Sequence, residues 1–254
     1  MFKPRISALL ALGVLSAAAP ATILYQTGFE TGEGFSAGPL DSQADWFSDS
    51  DDITVSGASG GVNPSGGSQM VSYVSGTTAG EVFYSWTDLS TLWANRPANQ
   101  NKLVVSIDIF IPEATENVFD IGLAIWGFDT AYSFLGEVDL STDVDAVRIY
   151  DGFASVTETS TTFQRGVWNR LGFVADWDTG SLTASLNGVD VAEVGNFENT
   201  GAPLADVDLS IFSLDDSSAN TVYFDNFSVE SVPEPATMAA LALGVAALTR
   251  RRKA

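Results

Sequence analysis

Between residues 22 and 232 the chain is a succession of short runs rich in β-branched and aromatic residues, closed off by turns that carry glycine. That pattern limits the possible folds more than any other feature. Runs at 22–27, 70–74, 81–86, 103–111, 118–126, 144–150, 168–177, 181–186, 207–212 and 221–229 have the composition of strands. Some alternate strictly. From Val105 the chain reads Val-Ser-Ile-Asp-Ile-Phe-Ile, and from Leu182 it reads Leu-Thr-Ala-Ser-Leu. Successive strand residues point to opposite faces, so such a segment lays one face on a core and turns the other to water. Asp151-Gly152, Thr179-Gly180 and Asn187-Gly188 supply turns, and the last predicts a hairpin joining 181–186 to 189–194. Only 89–94 offers a helical turn. Residues 41–67, rich in Ser, Gly and Asp, read as a long surface loop with one short strand near 53–55. No repeat or linker divides the segment. Regularly spaced short strands without helices predict an all-β, two-sheet antiparallel sandwich.

The two ends of the chain are of a different kind. Residues 1–21 carry Lys3 and Arg5, an apolar stretch at 6–18, and Ala19-Pro20-Ala21. A basic start, a short apolar middle and small residues at the cut are the layout of a secretory signal peptide. The mature chain is expected to begin at Thr22, with cleavage after Ala17 or Ala18 as the alternatives. Residues 233–254 open on Pro233-Glu234-Pro235, continue through an almost wholly apolar run at 236–248, and end in Thr249, Arg250, Arg251, Arg252, Lys253 and Ala254. Prolines 233 and 235 cannot donate to a strand ladder and so stop the strand before them. The 13 residues of the apolar run fall short of the roughly 20 that a spanning helix needs. They predict a C-terminal apolar helix held only transiently in the membrane. Its basic end would stay on the cytoplasmic side and everything before it would lie outside.

The 211 residues between these ends suffice for one large β domain with its own core. That domain holds 31 acidic residues against five basic ones, Arg96, Lys102, Arg148, Arg165 and Arg170, a formal net charge of −26. A surface this acidic repels nucleic acid and anionic lipid, which argues against both as partners. With no Cys, an exported domain goes without disulfides. With no His, the commonest general base and transition-metal ligand is missing, and Ser-His-Asp or Cys-His catalysis is ruled out.

The order Pro-Glu-Pro, short apolar helix, basic end resembles a PEP-CTERM sorting signal. The resemblance implies an exosortase as processing partner, cutting near Pro233, Glu234 and Pro235, with Arg250, Arg251 and Arg252 as the basic stop. It also implies delivery to the cell surface or an extracellular polysaccharide matrix. Within the domain, Gly166-Val-Trp168 through Asp176, followed by Gly180 to Asn187-Gly188, resembles concanavalin A-like and laminin-G-like jelly rolls. Gly28-Phe29-Glu30 and Tyr223-Phe-Asp225 are similar to the first and last strands of jelly-roll carbohydrate-binding modules. This second resemblance implies a structural calcium ion with Glu30 and Asp225 as side-chain ligands. The alternative is that both are ordinary strand-end residues. Glu137-Val-Asp139-Leu resembles the opening of the Glu-x-Asp-x-(x)-Glu strand of a jelly-roll glycosidase family. Ser141 and Thr142 stand where the second Glu should be, so the motif is broken, and no catalytic residue is assigned.

Flat indole rings can stack on sugar faces. Trp86, Trp168 and Trp177 lie in apolar runs and are expected to pack in the core or at a sheet edge. Trp46, Trp93 and Trp126 lie in loop-like or strand-end contexts and are the expected ligand contacts. The sequence as a whole predicts an exported, non-enzymatic surface or matrix protein of structural or adhesive role. The alternatives are a polysaccharide-binding module and, last, a glycoside hydrolase.

Overall fold

The computed structural model of the chain describes residues 20–74, 78–115, 118–153, 155–195, 201–215 and 220–233. Its strands are β1 (Thr22–Thr27), β2 (Gly38–Pro39), β3 (Trp46–Ser48), β4 (Thr54–Ser56), β5 (Met70–Val74), β6 (Val82–Thr87), β7 (Lys102–Phe110) and β8 (Phe119–Phe128). They continue as β9 (Tyr132–Ser141), β10 (Ala146–Asp151), β11 (Ser155–Thr162), β12 (Trp168–Asp176), β13 (Ser181–Leu186), β14 (Val189–Gly195), β15 (Leu204–Ser213) and β16 (Thr221–Val232). One short helix, α1 (Ser90–Ala94), joins β6 to β7. The predicted apolar helix at 236–248 lies outside the described residues. No described helix is long and apolar enough to cross a membrane.

The strands form two antiparallel sheets, as the sequence predicts. One runs β14-β13-β12-β7-β16-β5-β4-β2, with β1 also on β16. The other runs β11-β10-β9-β8-β15-β6-β3. The first and last long segments of the domain are neighbours: Thr22 pairs with Ser231 and Thr27 with Phe227. The long β16 gives its first half to β5 and its second half to β1. A bulge between Asp225 and Ser228, with Asn226 at φ 53°, marks the exchange.

Between the sheets lies one core. Leu103, Val105, Ile107 and Ile109 of β7 meet Ile121, Leu123 and Ile125 of β8, all at 1% exposure or less. Each such side chain contributes about 1.5–3 kcal/mol by leaving water. The alternating runs thus resolve into one core-facing set and one outward set per strand. The predicted hairpin is present: Leu186 pairs with Val189 across Asn187 and Gly188, both at positive φ.

Four strands, β2, β3, β9 and β11, are not anticipated by the sequence pattern. The outward positions of β9 are Glu137, Asp139 and Ser141, which reads as an acidic loop rather than a strand. β11 has no buried residue on either face and is held at the sheet edge by β10 alone. The loop expected at 41–67 holds β3 as well as β4, and β3 carries Trp46 into the core at 0% exposure.

Candidate functional site

On the seven-stranded sheet the core-facing residues leave a second set on the outer face, and register aligns these into rows. One row runs Tyr150, Glu137, Ala124, Asp208 and Trp86 across β10, β9, β8, β15 and β6. The next runs Arg148, Asp139, Gly122, Ser210 and Tyr84. Gly122 is what makes room. A Cβ there would collide with the Val138 carbonyl and the Asp139 carboxylate, so only glycine lets the carboxyl lie across β8. The rows floor a cavity of about 520 Å³ lined by Tyr84, Phe134, Glu137, Asp139, Tyr150 and Phe153 among others. A second cavity of about 300 Å³ continues from Tyr84 to Asp49, Trp86, Trp126, Tyr132, Asp206 and Asp208. Along this groove the rings run in contact from Tyr84 to Trp126 at 6.0 Å, Trp126 to Phe134 at 5.3 Å and Phe134 to Phe153 at 4.8 Å.

The groove's carboxyls come as two interacting pairs, each on alternate positions of one strand, Glu137 with Asp139 on β9 and Asp206 with Asp208 on β15. Burial pushes Glu137 up to about 7, and the hydroxyl that Ser210 donates to its Oε1 only partly offsets that. Burial and then the Glu137 charge push Asp139 well above the carboxylate range. Burial raises Asp206 to about 6, and burial followed by the Asp206 charge raises Asp208 well above its ordinary value. Two carboxyls in contact cannot both ionise cheaply, so each pair holds a proton near neutrality. Asp139 Oδ1 and Asp208 Oδ1 are buried with no hydrogen-bond partner, as is the Trp126 indole nitrogen. Asp120 lies beside them, bonded to the Tyr150 hydroxyl and to Arg148 Nη1 at 3.2 Å. Arg148 Nη2 goes to Asp143 and Glu158, both at 2.8 Å, and its Nε is buried without a partner.

The residues singled out in the sequence scatter. Trp46 is fully buried and donates its indole N–H to the Tyr25 hydroxyl at 2.8 Å. Trp93, at 2% exposure, packs against Trp177 with Arg96 over its other face. Neither has a ring face left for a sugar, which corrects the expectation for both. Trp126 is half-buried on β8 and lines the groove. Trp86, expected in the core or at a sheet edge, faces outward in the groove and stacks on Phe47 at 5.9 Å.

Glu30 and Asp225 are brought to one loop, but by its N–H groups. Glu30 accepts from Ser68 N and Oγ at 2.7 Å and from Gln69 N at 3.0 Å. Asp225 accepts from Gly66 N at 2.9 Å and Asn226 N at 2.7 Å. Among the described residues no group of three or more acidic side chains gathers at metal-holding range. Pro233 follows β16 directly. Glu234, Pro235, Arg250, Arg251 and Arg252 lie outside the described residues.

The groove residues have one signal in the sequence, which the Glu137-Val-Asp139 resemblance touches at a single strand. Charged or aromatic residues recur two apart on separate strands, as Tyr84/Trp86, Glu137/Asp139, Arg148/Tyr150 and Asp206/Asp208. Only the register shows that these pairs lie side by side.

The fold is shared with solved structures. It is similar to a carbohydrate esterase from Shiga toxin-encoding bacteriophage phi24B, at 14% identity and TM-score 0.56 over 84% of this chain and 100% of that one. It is similar to an endo-β-1,4-glucuronan lyase from the fungus Trichoderma reesei, at 11% and 0.54 over 83% and 96%. It is similar to an alginate lyase from Chlorella virus, at 13% and 0.53 over 84% and 99%. At such identities the likeness is one of fold. It overturns the expectation of a non-enzymatic domain, because a fold carried by carbohydrate-active enzymes gives that expectation no ground. In the register Asp120 of β8 stands opposite Ser141, and Asp208 of β15 stands one strand beyond, in the row of Glu137. No curated protein matches the chain in sequence. Residues 231–253 match the PEP-CTERM protein-sorting motif, so the protein is one exported and sorted by an exosortase through a C-terminal membrane-anchoring signal.

Proposed function

We propose that the domain is a carbohydrate-active module displayed at the cell surface or in its matrix, taking a polysaccharide into the groove of the seven-stranded sheet. The observation that carries this is the pair of buried carboxyl oxygens, Asp139 Oδ1 and Asp208 Oδ1, left without donors beneath a continuous wall of aromatic rings. Sugar hydroxyls offer the donors, and sugar faces stack on the rings. A carboxyl with a pKa of about 7, Glu137, is suited to give a proton to a glycosidic oxygen. An adhesive role, proposed from the sorting signal, needs the same binding without the proton transfer. Kinship with concanavalin A-like or laminin-G-like modules is proposed on the sandwich and the short motifs alone.

The test measures binding and new reducing ends on a polysaccharide panel. Trp86→Ala is expected to weaken binding about tenfold, in line with the 1–3 kcal/mol of a stacked ring. Glu137→Gln is expected to abolish any cleavage while leaving binding within about threefold. Binding unchanged by Trp86→Ala and Tyr84→Ala would remove the groove from the function.

A calcium ion at Glu30 and Asp225 is proposed on the resemblance, together with the raised pKa of about 6 that burial gives Asp225. It needs backbone carbonyls beyond the N–H groups now facing these carboxylates. A melting temperature raised by calcium in about 1 M salt, and no longer raised after Asp225→Ala, would support it. No shift would dispose of it.

A further inference from the structure

Resting on the groove as the glycan site, we propose that its ligand carries free amino groups: a deacetylated amino-sugar polymer rather than a neutral glycan or a polyuronate. The argument starts from the cations. The domain owns five; four are committed away from the groove, and the fifth, Arg148, stands beside Asp139 in the groove floor. Arg96 lies 3.8 Å over the Trp93 ring. Lys102 pairs with Asp176 at 2.7 Å, Arg165 with Asp145 at 2.7 Å and Arg170 with Asp108 at 3.0 Å. Arg148 comes nearest and is divided among Asp120, Asp143 and Glu158. No Lys or Arg is among the described residues that line either cavity. A polyuronate brings a carboxylate on each sugar. Setting it among these carboxyls would leave like charges facing each other without a counter-ion.

The acidic side points the same way. Asp139 is 1% and Asp208 5% exposed, both line the cavities, and each keeps one oxygen without a donor. An ammonium brings three N–H donors and a positive charge to carboxyls that outnumber the single nearby Arg148, whereas a hydroxyl brings one donor and no charge. Glu137 of β9 and Asp208 of β15 each pair in register with Ala124 of β8, so the two carboxyl pairs stand two strand spacings apart, about 10 Å. A linear polymer crossing the strands meets both.

The test uses protein recovered from the cell surface and three oligosaccharides of equal length: oligoglucosamine, its fully N-acetylated counterpart, and oligoglucuronate. Titration calorimetry is run at about 1 M salt, where a screening length of about 3 Å suppresses nonspecific polycation binding. The expected result is oligoglucosamine bound at least about tenfold tighter than the acetylated form, with no measurable oligoglucuronate binding. Asp139→Asn and Asp208→Asn should each remove most of that preference, and either suffices if the other fails to fold. Asp51→Asn with Asp52→Asn, an equal or larger charge change at an exposed turn, should leave it intact. Acetylated or uronate ligand bound as tightly as the amine overturns the amine assignment. The groove reading survives that result if Trp86→Ala still weakens the binding. A preference unchanged in both groove variants, or lost equally in the surface control, overturns the assignment as well. Absence of binding by all three overturns it together with the groove reading.

Discussion

The protons of the groove belong to individual side chains, and Glu137 is the one whose behaviour can be followed by pH. Its folded pKa of about 7 stands above its ordinary 4.5 because burial disfavours the charge. The folded state therefore holds a proton that the unfolded chain has lost across that window. The stability this gives is complete below about pH 4.5 and is lost as pH rises through about 7. Facing Glu137 are Asp139 on its own strand, Asp120 on β8, Arg148 and Tyr150 on β10, Asp208 and Ser210 on β15, and Tyr84 on β6. Urea midpoints are expected to fall between about pH 5 and pH 8, by on the order of 2–3 kcal/mol at most from this group. Glu137→Gln should flatten part of that slope and stabilise the domain at the upper pH. Parallel profiles for parent and variant would mean the carboxyl is ionised throughout. The tryptophans separate at the same scale. Trp46→Ala should cost about 3–5 kcal/mol of stability, as a buried indole does. Trp126→Ala, at a half-buried groove position, should cost less than half of that in the same denaturation assay and weaken glycan binding instead.

At the scale of elements, the groove exists because β8 carries Gly122 where its neighbours carry carboxyls and rings. Gly122→Ala would press a methyl against the β9 backbone, which cannot move without breaking its ladder. The expected loss is about 1–3 kcal/mol, with glycan binding weakened through a displaced Asp139. Chemical denaturation that shows no loss would mean the sheet spreads locally to admit the methyl. The bulge in β16 is a comparable device. It lets one strand serve β5 and then β1, and places buried Asp225 where it ties the loop at Gly66 to the last strand.

For the whole molecule, the sorting motif that follows the sandwich bears on where the groove is carried. The sorting motif at 231–253 begins within the last residues of β16, so sandwich and motif adjoin without a linker. Protein recovered from the cell surface is expected to lack residues 236–254, by analogy with a signal cut near Pro233-Glu234-Pro235. Intact-mass spectrometry checks this, and surface material ending at Ala254 would refute it. The domain carries 31 acidic residues against five basic ones, a balance that on our proposal favours amine-bearing polymers over uronates.

By itself the sequence determined the class of fold and the route out of the cell. Period-2 alternation with Asx-Gly turns admits only strands with one face on a core, and Val105 to Ile111 and Leu182 to Leu186 fell where that period put them. The sorting motif is linear, read by composition and order, and needs no tertiary contact to be recognised. What the sequence could not supply was adjacency. Along β9 alone Glu137 and Asp139 are half of a broken motif, because Ser141 stands two residues further on. In the folded sheet, register brings Asp120, Asp208 and Tyr84 beside them from strands as much as 71 residues away along the chain. Burial, likewise, is a property of the assembled sandwich. Trp46 has the local context of a loop, and only the packing of Tyr25, Phe29 and Phe227 around its ring makes it core.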